Sequence, residues 1–182
     1  MNRRTVLIIL LSGFMVFTGG CISRIAKEGL GGVTGGKGSF AVLQPVSATL
    51  GVYERFELTQ LADDMNGMAP SELFSALPGE FAKALDEEKI PNASSGRTLL
   101  IQGKILHYEN ASMSGHAFGP LEEVVARIEL VDKDAGKVIG VANCVGRTKE
   151  SVNTGVSKKT EGLARAIVKW IKEHYPEDQR TK

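Results

Sequence analysis

Apolar residues repeat along this chain with two different periods, and the order in which those periods alternate limits the folds it can adopt. Phe40-Ala41-Val42-Leu43 is a short apolar run stopped by Pro45, the pattern of a buried first strand. From Pro70 the spacing changes. Leu73, Phe74, Leu77, Phe81, Ala84 and Leu85 recur at intervals of three and four, which predicts an amphipathic helix ending near Glu88. Pro78 falls inside that pattern, so the helix either kinks there or starts again with Pro78 at its first position. Leu99 to Glu109 alternates as a strand does. Val124 to Asp132 alternates more strictly, with Val124, Ala126, Ile128 and Leu130 on one side. Asp132-Lys133-Asp134-Ala135-Gly136-Lys137 predicts a short hairpin turn into Val138 to Arg147. A last helix is expected from Thr154 to His174. Leu163, Ala166, Ile167, Trp170 and Ile171 form its apolar stripe, while Lys158, Lys159, Glu161, Arg165, Lys169 and Lys172 are expected to face solvent.

The predicted order is β-α-β-β-β-α. Its first strand and helix imply a right-handed crossover to a parallel neighbour, and its later strands an antiparallel meander. Each helix carries one apolar stripe, so both should cover the same face. The expected fold is α+β: a two-layer sandwich with a mixed four-stranded sheet and two helices on one face. Residues 47–69 read as a long connection with some ordered parts, because Asp63-Asp64-Met65-Asn66-Gly67 is turn-like. The domain is expected over 40–176, with a polar tail at 177–182.

Ahead of that domain stand Arg3 and Arg4, an apolar run from Thr5 to Thr18, and Gly19-Gly20-Cys21. A basic start, a short apolar core and small residues before a cut make an export signal, so residues 1–20 are expected to be a signal peptide. A membrane-spanning helix needs roughly 20 apolar residues. This run is shorter and is interrupted by Gly13, although an uncleaved helix or an ordinary secretory signal are the competing readings. Residues 21–39 hold six glycines and few apolar side chains, the composition of a flexible tether. The competing reading places those glycines in a tight turn or a partner contact.

Loss of residues 1–20 would leave 162 residues, enough for one domain with a sizeable core. Arg3 and Arg4 leave with the signal, so the formal charge moves from +1 to −1. A near-neutral chain has no general electrostatic reason to bind nucleic acid. Beyond Cys21 the only cysteine is Cys144, so no internal disulfide can form within the exported domain, and Cys144 reads as a small buried hydrophobe.

Chemistry-bearing patterns are sparse. His107, His116 and His174 are far apart and belong to no zinc-ligand spacing. His107 is expected as a hydrogen-bonded structural residue in a strand, and His174 as a favourable charge at a helix end. No serine lies in a nucleophile elbow, and Gly36-Lys37-Gly38-Ser39 lacks the order of a phosphate-binding loop. Asp132 and Asp134 are explained by turn formation without a metal. The expectation is therefore no enzyme, no metal and no cofactor. One connection stands out. Residues 110–120 are long for a hairpin, where loops of two to five residues are usual, and carry Met113, His116 and Phe118 in a polar, glycine-rich setting. They read either as a contact loop for a partner or a neighbouring copy, or as a loop whose Phe118 folds back onto the core.

Cys21 after a small pair resembles the lipobox of bacterial lipoproteins, with Thr18 where Leu is usual. Combined with the glycine-rich tether, the run Phe40 to Val46, the helix around Leu73 to Leu85, the Leu99 to Tyr108 strand with Gly103, and the Ile128 to Gly136 hairpin before a Trp-bearing helix, the chain resembles a family of uncharacterised bacterial lipoproteins. Their small α/β domain is similar to the amino-terminal domain of the translocation protein TolB and related in architecture to the Pel polysaccharide and curli secretion lipoproteins. The resemblance implies lipidation of Cys21 and, with Ile22 rather than Asp following, the periplasmic face of the outer membrane. It further implies a membrane-anchored, non-catalytic accessory or scaffold subunit of an envelope assembly or secretion system, with an envelope protein partner and scope for homo-oligomers. The alternative is a periplasmic module binding a glycan, peptidoglycan or a small ligand.

Overall fold

The computed structural model describes residues 37–109, 123–148 and 155–180. Eight regular elements appear in the order β1 (Lys37–Gln44), β2 (Arg55–Leu58), β3 (Ala62–Asp63), α1 (Ser71–Glu87), β4 (Thr98–Tyr108), β5 (Glu123–Asp132), β6 (Lys137–Arg147) and α2 (Val156–Glu173), with single 3-10 turns at Leu50–Val52 and Glu177–Gln179. The expected α+β class is observed, with two helices on a mixed sheet.

The sheet has six strands rather than four, in the order β1-β6-β5-β4-β2, with β3 also paired to β4. Two of its strands come from the 47–69 connection. β2 and β3 run parallel to β4, with Phe56 opposite Leu99 and Ala62 opposite Lys104. The parallel crossover therefore belongs to β2-α1-β4. The first strand departs from expectation: β1 is antiparallel to β6, with Phe40 opposite Cys144. Its position follows from burial, since Phe40 meets Trp170 of α2 at 6.5 Å between ring centroids, which draws β1 under the last helix and away from α1.

The meander is as the alternation predicts. Leu99, Ile101 and Ile105 of β4, Val124, Ala126, Ile128 and Leu130 of β5, and Ala142 and Cys144 of β6 are fully buried in one core with Leu73, Leu77, Phe81 and Leu85 of α1. Leu163, Ala166, Ile167, Trp170 and Ile171 of α2 join the same core. Both helices thus cover one face. α1 is a single helix with Pro78 in its interior, so Phe74 keeps a carbonyl without the usual amide donor four residues on.

α2 approaches the sheet so closely that backbone meets backbone. A Cβ built on Gly146 of β6 would lie 2.3 Å from the carbonyl oxygen of Lys159 and 2.4 Å from the amide nitrogen of Leu163. One on Gly38 of β1 would meet the Ala166 nitrogen and the Gly162 oxygen at 2.5 Å. Gly162 on the helix has the Lys37 oxygen 2.8 Å from its virtual Cβ. Three glycines on three elements form a seat that no side chain can enter.

Gly146→Ala is expected to lower unfolding stability by about 1–3 kcal/mol, the cost of overpacking a rigid contact. Gly79→Ala, on α1 with nothing within 4 Å of the added carbon, is expected to raise it by roughly 0.5–1 kcal/mol through helix propensity. Urea unfolding followed by circular dichroism reads both. Equal effects of one sign would contradict the backbone seat.

Candidate functional site

The residues singled out for lipidation and partner binding, Cys21, Met113, His116 and Phe118, lie outside the described residues. The structure does describe the frame from which residues 110–122 depart. Tyr108 of β4 pairs with Val124 of β5, and the Glu109 amide donates to the Glu123 carbonyl at 2.9 Å. Arg147 donates to Glu123 at 2.8 Å from the neighbouring strand. Lys159 reaches the same place from α2. Its Nζ donates to the Glu109 carbonyl at 2.6 Å and lies 4.0 Å from the centroid of the Tyr108 ring.

Lys159 is 1% exposed, which corrects the expectation that it faces solvent. The cause is the glycine seat. With the helix backbone pressed onto β6, a residue one turn before Leu163 can only extend along the sheet, and its ammonium finds a carbonyl and an aromatic face there. Glu161 is also buried rather than solvent-facing, bonded to Lys158 at 2.9 Å and Arg165 at 3.1 Å. His107 is exposed on the sheet face away from the helices, opposite Val125, and is not the hydrogen-bonded residue expected. His174 stands at the C-terminal end of α2, where its amide bonds to the last turn. Cys144 is buried and free, and burial pushes its thiol far above the ordinary range, so it behaves as a hydrophobe.

The most elaborate polar constellation surrounds Asp132. One carboxylate oxygen accepts from the amides of Asp134 and Ala135 at 3.1 and 3.2 Å, closing the turn in which Gly136 takes a φ of 61°. The other accepts from Arg97 at 2.6 Å and from the Tyr53 hydroxyl at 3.0 Å, while the Arg97 guanidinium lies over the Tyr53 ring. The turn reading of Asp132 holds, but its second oxygen ties three distant segments together. Bonding to Arg97 above all, then to the turn amide of Ala135, holds its carboxyl at about 2. Burial, then bonding to Asp132, pushes the Tyr53 phenol up to about 12. Among the described residues, no group of three or more His, Cys, Asp or Glu side chains converges as a metal site.

Among the described residues, two concave surfaces bear on the site. The larger, about 620 Å³, lies at the end of α2 between Lys169, Lys172, His174, Arg180, Glu88 and Glu173. Its charges are mostly committed: Lys172 pairs with Glu88, and Arg180 caps the helix by donating to the Lys172 and Tyr175 carbonyls at 2.9 and 3.0 Å. The second, about 400 Å³, runs beside β2 and is lined by Phe56, Leu58, Pro78, Phe81 and Ala82. At that sheet edge the Asn92 side chain acts as a short strand, accepting from the Phe56 amide at 2.8 Å and donating to the Phe56 carbonyl at 3.2 Å. The opposite edge, β1, is finished differently: Val42 and Leu43 are 44% and 52% exposed. Sequence reasoning missed the β2 edge because Phe56, Pro78 and Asn92 are distant in the chain; the Phe40–Leu43 run, expected to be a buried strand, is an edge strand exposed at Val42 and Leu43 because only β6 flanks it. Among the described residues no helix is long and apolar enough to cross a membrane.

No protein-family model matches this chain, and no curated protein does. Among solved structures it is similar to a PelC variant in a dodecamer from Paraburkholderia phytofirmans, with a TM-score of 0.53 and 17% identity over 73% of this chain and 97% of that one. A Xanthomonas campestris protein of the DUF330 family is similar at a TM-score of 0.41 and 11% identity, over 71% of this chain and 86% of that one. A minor lipoprotein from Acinetobacter baumannii follows at 0.35 and 11%, over 67% and 91%. At this distance the PelC likeness shows a shared fold. It matches the expected architectural relation to the Pel secretion lipoprotein; TolB does not figure among these three.

Because the folded protein binds the Asp132 proton less tightly than the unfolded chain, the network adds stability above pH 4 that is lost as pH falls from about 4 through 2. Tyr53 has the opposite sign: its contribution is present below pH 10 and lost as pH rises through about 12. Thermal unfolding between pH 6 and 2 should show Asp132→Asn less stable than the parent at pH 6 and the two converging toward pH 2. Parallel curves across that range would contradict this role for Asp132.

Proposed function

We propose that this chain is a non-catalytic lipoprotein held by Cys21 at the periplasmic face of the bacterial outer membrane. There it serves as an accessory or scaffold subunit of an envelope assembly or secretion system, and it works as a homo-oligomer. The observation that carries the reading is the fold it shares with a PelC dodecamer. A leader of export type ending in Gly19-Gly20-Cys21 supports the anchor. Two or more acyl chains on Cys21 would give stable attachment where one would not. Residues 22–36, fully extended, would let β1 stand roughly 50 Å from the bilayer.

The polar groups of the described domain support a role in binding surfaces rather than in chemistry. Asp132 spends both oxygens on four donors that join structural segments. Lys159 is spent on the root of the 110–122 connection. We place the envelope-partner contact on Met113, His116 and Phe118 of that connection, whose ends β4, β5 and Lys159 hold in register.

Fractionation of cells tests the anchor. The parent protein is expected in the outer-membrane fraction and labelled by palmitate, and Cys21→Ala in the soluble periplasm without label. Retention of Cys21→Ala in the membrane fraction would overturn the lipid anchor. A photo-crosslinker at position 113, 116 or 118 is expected to trap a protein neighbour in intact cells. Capture of lipid alone would remove the partner contact.

A further inference from the structure

We infer that Asn66 is a modification site: in the folded protein its side-chain amide is lost spontaneously, leaving an aspartyl or isoaspartyl residue at that position. The site is independent of the anchor and of any partner.

The sequence holds six asparagines, and only Asn66 is followed by glycine. The reaction needs that neighbour. The backbone nitrogen of the next residue must reach the side-chain carbonyl carbon, and a Cβ on that residue obstructs the approach. Hydroxide takes the proton of the Gly67 amide, the nitrogen bonds to Cγ of Asn66, and ammonia leaves as a cyclic imide closes. Water then adds to one of the two ring carbonyls. Opening at one side gives aspartate, and opening at the other routes the main chain through the former side chain as isoaspartate. Overall one water is consumed and one ammonia released, with no other reactant.

The fold leaves this pair open to the chemistry. Asn66 and Gly67 have φ values of 56° and 84°, and the Met68 amide donates to the Met65 carbonyl at 3.3 Å. They are therefore the central residues of a type I′ turn between β3 and α1. Asn66 is exposed, and Met68 just beyond it is 66% exposed. Nothing lies within 4 Å of a Cβ built on Gly67, which leaves room for the ring. Among the described residues the Gly67 amide makes no hydrogen bond, so its proton is free to leave. Ring closure rotates the Asn66 backbone and releases a single hydrogen bond, from Met68 to Met65. The charged groups of the turn are engaged elsewhere: Asp63 accepts from the Met65 amide at 2.8 Å, and Asp64 pairs with Lys104 at 2.8 Å. The base is thus solvent hydroxide, and the rate rises with pH.

Other described asparagines are held. Asn92 grips the Phe56 amide and carbonyl with both ends of its side chain and precedes Ala93. Asn143 lies in β6 between β1 and β5, accepts from Arg127 at 3.4 Å, and precedes the buried Cys144. The product at position 66 adds a negative charge beside Asp63 and Asp64. Its isoaspartyl form also lengthens the main chain inside a tight turn.

Peptide mapping by mass spectrometry of the full-length protein, incubated folded and in urea, tests this, with an isoaspartyl methyltransferase label as the second readout. The peptide containing residue 66 is expected to gain about 1 Da and to take the label. Conversion should be faster at alkaline than at neutral pH, with Asn92 and Asn143 unchanged. With one hydrogen bond of ordinary net worth to open, the folded protein should convert within about tenfold of the unfolded rate. Asn66→Gly, which suits the positive φ, is expected to lose both signals. Conversion in urea with none in the folded protein would overturn the inference, because the turn would then protect the pair. Conversion of Asn92 or Asn143 as fast as Asn66 in the folded protein would overturn the selectivity argued from the fold. No conversion even in urea would remove the site altogether.

Discussion

The described fold depends on how closely its last helix lies against the sheet. Gly38, Gly146 and Gly162 remove every side chain from the crossing of α2 with β1 and β6, so peptide groups touch directly. That contact brings Leu163, Ala166, Ile167 and Trp170 to the depth of the core and fixes β1 beneath the helix through Phe40. It also leaves Lys159 a single direction to run. The ammonium ends on the Glu109 carbonyl, at the root of the connection that carries Met113, His116 and Phe118. One backbone contact thus positions an edge strand and steadies the base of a candidate contact loop.

A second tie operates where the crossover enters. Tyr53, Arg97 and Asp132 come from before β2, before β4 and the end of β5, and share one carboxylate oxygen. Asp132 lies opposite Leu99 of β4 and is buried, so the shared carboxylate is sheltered from water. Short parallel strands such as β2 gain little from their own pairing. Their placement rests on this network, on the Asn92 clamp and on Phe56 packing edge-on to Tyr175.

The long elements were legible because each repeats its pattern often enough to be counted. α1, α2, β4, β5 and β6 fall within a few residues of their expected bounds. β2 and β3, at four and two residues, are too short to show a period. With β2 unseen, the parallel crossover was assigned to the nearest visible strand, β1. Lys159 escaped because charge on an amphipathic helix normally faces water. The signal that could have found it is the trio of glycines, which becomes meaningful only once their elements cross. Asp132 was half legible: the turn accounts for one oxygen, and nothing in the sequence spacing points to Tyr53 and Arg97. The groove beside β2 is invisible to any local pattern, since Phe56, Pro78 and Asn92 meet only in the fold.

The polar groups described for Asp132 and Lys159 serve to join elements of the fold. That fold is shared with a protein that assembles as a dodecamer. The most direct measurement is native mass spectrometry of the full-length protein released from membranes. The result expected is one species whose mass is two or more times that of a single chain beginning at Cys21 and carrying its acyl groups. A single-chain mass, or an unmodified Cys21, would contradict it.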